Sequence, residues 1–130
     1  MTDDLPLNQR NAQRFKTDFA AKVESEFFCI HARVTNISSG GLQLTCDFHA
    51  LQEMMPNIKR PDRFLPIKFF VQFFVPTRQQ ESAQIQIDCS LIYTRRAEEN
   101  LAVVGCQFTH IDDLSGEALK DYLLHFASRD

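Results

Sequence analysis

The sequence lacks the features that would carry its 130 residues into or across a membrane. No apolar run approaches the roughly 20 residues that a transmembrane helix needs. The first ten residues, MTDDLPLNQR, contain no apolar signal-peptide core. The sequence also lacks an excess of basic residues, since its net charge is −3, and this argues against binding to long nucleic acid. We therefore expect a cytoplasmic protein with no membrane span.

Metal-binding and catalytic patterns are missing as well. The four histidines include no i,i+4 pair and no H-E-x-x-H, and the cysteines have no C-x-x-C spacing, so no metal site is predicted. There is no recognisable pair of nucleophile and base and no glycine-rich phosphate loop, so we expect that the protein is not an enzyme. An even number of cysteines leaves a disulfide framework open, but a cytoplasmic chain favours reduced thiols in buried or half-buried positions. These cysteines are Cys29, Cys46, Cys89 and Cys106.

What the sequence does contain is enough apolar material for one core, at 44% hydrophobic residues. Apolar and polar residues alternate in five or six short runs, which predicts strands with one buried face. Polar or proline-containing breaks separate the runs, at residues 36–41, 56–66, 76–82 and 95–100. This pattern predicts an all-β dominated domain, a small antiparallel six-stranded barrel over residues 16–130, preceded by a flexible arm of residues 1–15.

The last segment has a helical period. Leu119, Tyr122, Leu123 and Phe126 lie on one helical face, which predicts a C-terminal α-helix at about residues 114–128 with Ser115 as its N-cap. Residues 49–55 predict a short helix before Pro56. Four phenylalanines cannot all face inward on one strand, so some are expected to form an exposed partner or dimer surface: Phe69, Phe70, Phe73 and Phe74.

The charge is unevenly distributed. Residues 112–130 hold five acidic and two basic residues, so they account for the whole net charge and residues 1–111 are neutral. Residues 5–16 contain Arg10, Arg14 and Lys16 but no acidic residue. Because arginine binds phosphate and guanine in a planar, bidentate way, this stretch predicts a local anion site.

Two short motifs carry the candidate chemistry. Arg10 and Arg14 form R-x-x-x-R, which alone is equally typical of a solvated basic face. Residues 36–41 form N-x-S-x-x-G, which alone is typical of a turn whose Asn and Ser bond the local backbone and whose glycine adopts a positive φ. The first motif precedes the first strand and the second follows the second strand, 22 residues after Arg14.

In this order the two motifs resemble the signature of the PilZ domain, a bacterial receptor module for cyclic di-GMP. Further likeness lies in Gly41-Leu-Gln-Leu44, in Val104-Gly-Cys-Gln-Phe108 and in the L-x-x-Y-L of the terminal helix. The resemblance implies a PilZ-like barrel that binds cyclic di-GMP, uses no cofactor and changes conformation to signal to a separate, unidentified partner protein.

The resemblance also implies roles for individual residues. Arg10 and Arg14 would close over the ligand, stacking on bases and pairing with phosphates. The side-chain carbonyl of Asn36 would accept hydrogen bonds from the polar edge of a guanine, together with Ser38. Many members have Asp at this position, so the neutral Asn36 would bind somewhat more weakly. Gly41, with Gly40, would let the backbone approach the ligand.

Two more residues are candidates at the end of a strand. Tyr93 could stack on a guanine and Arg95, in the following polar break, could reach a phosphate. Gln9 stands where many members have Arg, which leaves open whether the site takes one ligand or a stacked pair. The alternative function is a PilZ-fold interaction adapter that does not bind the nucleotide.

Overall fold

Alternation of apolar and polar residues produces the strands, and one change of period produces the closing helix. The computed structural model of the protein describes residues 13–58 and 67–129. In chain order its elements are β1 (Phe15–Glu24), β2 (Cys29–Ile37), β3 (Gly41–Asp47), α1 (Phe48–Ile58), β4 (Lys68–Val75), β5 (Ala83–Glu98), β6 (Leu101–Ile111), α2 (Asp113–His125) and β7 (Ser128–Arg129).

Six of the strands close into a barrel. The hydrogen-bonded order is β1-β2-β3-β6-β5-β4, and β4 pairs again with β1, every pairing being antiparallel. The short β7 adds to the beginning of β1, where Phe15 pairs with Arg129. The predicted six-stranded barrel with a C-terminal helix is therefore confirmed.

The core lies inside the barrel and below α2. The inward residues of neighbouring strands are fully buried, and they include Val23, Val34, Leu44, Val71, Ile87 and Val104. Leu119 and Tyr122 of α2 are buried against the barrel, and the Tyr122 ring meets the Phe19 ring edge-on at 5.4 Å. Such an aromatic pair is worth about 0.5–1.5 kcal/mol beyond its buried area, so it helps to fix α2 on the barrel.

The helices differ from the prediction at their ends. Asp112, rather than Ser115, caps α2, because its carboxylate accepts the Ser115 N–H at 2.8 Å. Ser115 is buried and its hydroxyl instead accepts the N–H of Gln86, which joins α2 to β5. The helix ends at His125, three residues before the predicted end, and Phe126 is its C-cap. The helix α1 continues through Pro56 to Ile58.

Cys29 is exposed, contrary to the expectation of a buried or half-buried thiol. It lies on the outer side of β2, where it alternates with the buried Phe28 and Ile30, so strand geometry outweighs the preference of cysteine for burial. The other three thiols are buried, and all four are free. Burial raises the pKa of Cys46 to about 11. A hydrogen bond with Cys89, and then burial, raise the pKa of Cys106 well above its usual range.

The four phenylalanines of β4 divide between its two faces. Phe69 and Phe73 are buried, Phe70 is half-buried and Phe74 is exposed. No helix in the described part of the chain is long and apolar enough to cross a membrane.

Candidate functional site

The two sequence motifs meet at the beginning of the β1–β2 pair. Phe15 pairs with Ile37 and Lys16 with Asn36, which places the residue before β1 beside the end of β2. Arg14 Nη1 donates a hydrogen bond to Asn36 Oδ1 at 2.9 Å. The other arginine of the motif, Arg10, lies outside the described residues.

Ser38 shapes the turn that follows Asn36. Its backbone N–H donates to the carbonyl of Gly41 at 2.9 Å, and its hydroxyl accepts the N–H of Gly40 at 3.3 Å. Only 5% of Ser38 is exposed, although it lines the cleft described below. Its side chain therefore stabilises the turn, and the ligand contact expected for it stays a prediction.

Gly41 is required by a close approach of two strands. A Cβ at this position would lie 2.5 Å from the backbone oxygen of Cys106 on β6, and Phe108 N–H donates to the carbonyl of Gly40 at 3.0 Å. None of the described glycines has a positive φ, so the left-handed conformation considered for this turn is absent there. The turn instead lies tightly against β6.

A row of paired residues crosses the outer face of the barrel from Asn36. Asn36 pairs with Gln43, Gln43 with Gly105, and Gly105 with Tyr93, on β2, β3, β6 and β5. The Tyr93 ring lies over Gly105, where a Cβ would be 2.2 Å from its Cε2 atom. Tyr93 Oη donates to Gln43 Oε1 at 3.2 Å, so the ring is fixed at both ends. Tyr93 thus lies within β5, and the predicted polar break at residues 95–100 is reduced to a turn at Glu99 and Asn100.

Tyr93 and Gly105 line a cleft of about 210 Å³, whereas Asn36 and Gln43 lie beside it and do not line it. Arg95 is exposed on β5, pairs with Val103 and does not line the cleft. Arg14 provides the only charged side chain among the described lining residues, which are Arg14, Ser38, Gly40, Gly41, Leu42, Ile92, Tyr93, Gly105, Cys106 and Gln107.

Sequence reasoning missed Gln43 and did not assign Gly105 to the site. The sequence contained a pattern that could have pointed to each of these two residues. Gln43 lies between the buried Leu42 and Leu44, which directs it outward, and a glycine within a strand often marks a close approach. Within residues 13–58 and 67–129, no group of three or more His, Cys, Asp or Glu side chains is placed to hold a metal ion.

Comparison with solved structures identifies the same architecture. The PilZ domain of YcgR from Escherichia coli, solved with c-di-GMP, has a TM-score of 0.60 and 10% identity, with 89% of each chain covered. The K. pneumonia MrkH–c-di-GMP complex has a TM-score of 0.61 and 18% identity, with 88% of this chain and 51% of MrkH covered. Bacillus subtilis MotI, an inhibitor of motility, has a TM-score of 0.60 and 12% identity, with 90% of this chain and 53% of MotI covered.

The chain thus spans about half the length of MotI and MrkH. A search of curated proteins finds no match. The family model described as PilZ domain, however, matches residues 8–125, nearly the whole chain. The chain therefore belongs to the PilZ domain family.

Proposed function

We propose that this protein is a receptor for cyclic di-GMP and that it signals to a separate partner protein. The observation that carries the proposal is the Arg14–Asn36 hydrogen bond, which joins both halves of the sequence signature beside the cleft that Arg14 lines. Two of the structural neighbours, YcgR and MrkH, were solved with c-di-GMP.

Guanine recognition fits the polar groups at the cleft. The guanidinium of Arg14 can bind the N7 and O6 acceptors of a guanine, a pairing worth about 1–3 kcal/mol of discrimination. The Asn36 carbonyl can accept from the N1–H and N2–H₂ groups of the base. Ligand binding would therefore exchange the present Arg14–Asn36 hydrogen bond for bonds to the nucleotide.

Tyr93 provides a stacking surface for a base. Its side chain is 40% exposed, and the bond to Gln43 holds the ring over Gly105 before any ligand arrives. Stacking of a base on an aromatic ring contributes about 1–3 kcal/mol. Because little rearrangement is needed, most of this energy is available for binding.

The cleft volume of about 210 Å³ accommodates only part of a cyclic dinucleotide. Ligand pockets commonly measure about 300–1,000 Å³. The remainder of the ligand would contact residues at the rim. Arg95, exposed on β5, is the candidate for one phosphate. Arg10 is the second candidate, because four residues of chain span at most about 14 Å from Arg14. Engagement of Arg10 and Arg14 would change the surface that a partner protein meets.

Isothermal titration calorimetry with cyclic di-GMP tests this proposal. We expect a Kd of about a micromolar, near −8 kcal/mol. Arg14→Ala should weaken binding about 10- to 150-fold, because a hydrogen bond to a charged group is worth about 1.5–3 kcal/mol.

Lys22→Ala is the matched control. It removes the same charge from the far end of β1, where Lys22 is exposed and makes only a 3.8 Å surface ion pair with Glu24. It should leave the affinity unchanged. Equal affinity of Arg14→Ala and wild type would overturn the site, and absence of binding by folded wild type would favour the interaction adapter.

A further inference from the structure

A second cavity lies between α2 and the barrel, and it is apolar. This groove has a volume of about 520 Å³. Phe15, Phe108 and Ile111 form its barrel wall. A stripe at helical spacing forms the other wall, and Leu124 at its edge is 67% exposed. The stripe consists of Gly116, Leu119, Lys120, Leu123 and Leu124.

The groove and the nucleotide cleft share three chain segments. Arg14 lines the cleft and Gln13 lines the groove; Gln107 lines the cleft and Phe108 lines the groove. The signature turn does the same, because Ser39 lines the groove whereas its two neighbours line the cleft. The described chain thus begins, at Gln13, on the edge of the groove.

Lys120 is the one charged side chain among the described residues that line the groove. It is exposed, and in the described part of the chain no carboxylate lies within ion-pair distance of it. An occupant that matches this groove would therefore offer apolar side chains beside an acidic group.

We propose that residues 3–7 of this same chain, Asp3-Asp4-Leu5-Pro6-Leu7, bind in the groove. Leu5 and Leu7 would contact the apolar walls, and Asp3 or Asp4 would pair with Lys120. Pro6 favours an extended backbone at Leu5, and in an extended chain the side chains of residues i and i+2 lie on the same side.

Chain length permits this binding. Leu7 lies six positions before Gln13, and six steps of extended chain span up to about 20 Å. The helical stripe from Gly116 to Leu124 is only about 12 Å long, at 1.5 Å per residue. The segment can therefore turn back along the groove, and Arg10 would then be held between the groove and the cleft. The inference concerns the protein without ligand and does not depend on the proposed nucleotide.

Paramagnetic relaxation enhancement on the full chain tests the proposal. A nitroxide is attached through Thr2→Cys in a Cys29→Ser background, since the other three thiols are buried. We expect selective loss of intensity at the methyl signals of Leu119, Leu123 and Leu124. Leu5→Glu with Leu7→Glu should restore those signals, because two buried carboxylates would oppose binding in an apolar groove.

Asn8→Glu with Gln9→Glu is the matched control, since it adds the same two charges directly after the segment without removing an apolar side chain. It should leave the intensity loss unchanged. The proposal is overturned if the groove methyls keep their intensity, or if the Leu5 and Leu7 substitutions do not restore it. It is also overturned if isotope-labelled chains without nitroxide lose the same signals when mixed with nitroxide-bearing chains, because a second copy would then be the occupant.

Discussion

The Tyr93 ring packs on Gly105. This contact predicts that Gly105→Ala destabilises the wild-type protein but does not destabilise a Tyr93→Ala variant. In Gly105→Ala the new methyl would lie 2.2 Å from Tyr93 Cε2 and 2.5 Å from Cζ, so the ring must leave its position. Overpacking of this kind costs about 1–3 kcal/mol. The displaced ring would also lose its hydrogen bond to Gln43, worth about 0.5–1.5 kcal/mol. Because Tyr93 is partly exposed and can move, we expect a net destabilisation of about 1–2 kcal/mol.

Gly105→Ala should not lower the stability of a protein that lacks the Tyr93 ring. The three atoms nearest to the added Cβ all belong to Tyr93, and Gly105 has no positive φ. In a Tyr93→Ala background, Gly105→Ala should therefore be neutral, or stabilising by up to about 1 kcal/mol through reduced entropy of the unfolded chain.

Urea unfolding of the four proteins, followed by far-UV circular dichroism, measures this coupling. With a slope of about 1–3 kcal/mol per molar urea, the midpoint should fall by about 0.3–2 M in the first background and not in the second. Cyclic di-GMP affinity should fall in Gly105→Ala about as much as in Tyr93→Ala, and the two losses should not add. Equal destabilisation by Gly105→Ala in both backgrounds would refute this account of Tyr93 and Gly105.

Two further predictions concern the turn and the helix. Gly41→Ala places its methyl 2.5 Å from the Cys106 backbone oxygen, which cannot rotate away, so it should cost about 1–3 kcal/mol and lower the melting temperature by several degrees. An unchanged melting temperature would contradict the close approach of β3 and β6. Asp121 on α2 accepts hydrogen bonds from the Arg78 backbone N–H and from its guanidinium, and these lower the pKa of Asp121 below its ordinary value of 3.8. A lowered pKa in the folded state stabilises the protein above that ordinary value, and the contribution is lost as the pH falls through the folded pKa. The stability difference between wild type and Asp121→Asn, measured by urea unfolding from pH 7 to pH 2.5, should therefore shrink below about pH 4, and a constant difference would exclude this linkage.

The barrel could be predicted from the sequence because each strand of its wall has one solvent-exposed face and one buried face. Ile30, Ala32 and Val34 are buried, as their alternation along β2 indicates, and the same period recurs on the neighbouring strands. The PilZ signature then selected one barrel family among those that share such a pattern.

The end of β5 could not be predicted in this way. Arg95, Arg96, Ala97 and Glu98 are all exposed, so no alternation marks them as a strand. Backbone pairing with β6 holds them in place, and the guanidinium of Arg96 lies 3.9 Å from the centre of the Phe48 ring. Both interactions depend on distant parts of the chain.

The candidate site was only partly accessible to sequence reasoning for a related reason. Arg14 and Asn36 were identified from a motif, and the structure brings them into contact. The partnership of Gln43 and Tyr93 depends on the register of three strands, β3, β6 and β5, which local composition does not contain. Ligand contacts for all the candidate residues, including Arg10 and Arg95, remain predictions.

The row from Asn36 to Tyr93 has a consequence for how the surface around the cleft can diversify. The side chains of Asn36, Gln43 and Tyr93 project from the outer surface of the barrel, whereas nearby residues in the sequence are buried in its interior, namely Ile37, Leu44 and Val104. Neighbouring positions along a strand are therefore under different constraints, one from the surface near the cleft and the other from packing of the interior. Under the proposed function, substitutions at Gln43 or Tyr93 would alter ligand preference with little effect on the apolar interior. Gly41 serves both strand packing and the shape of the cleft, so it tolerates little change.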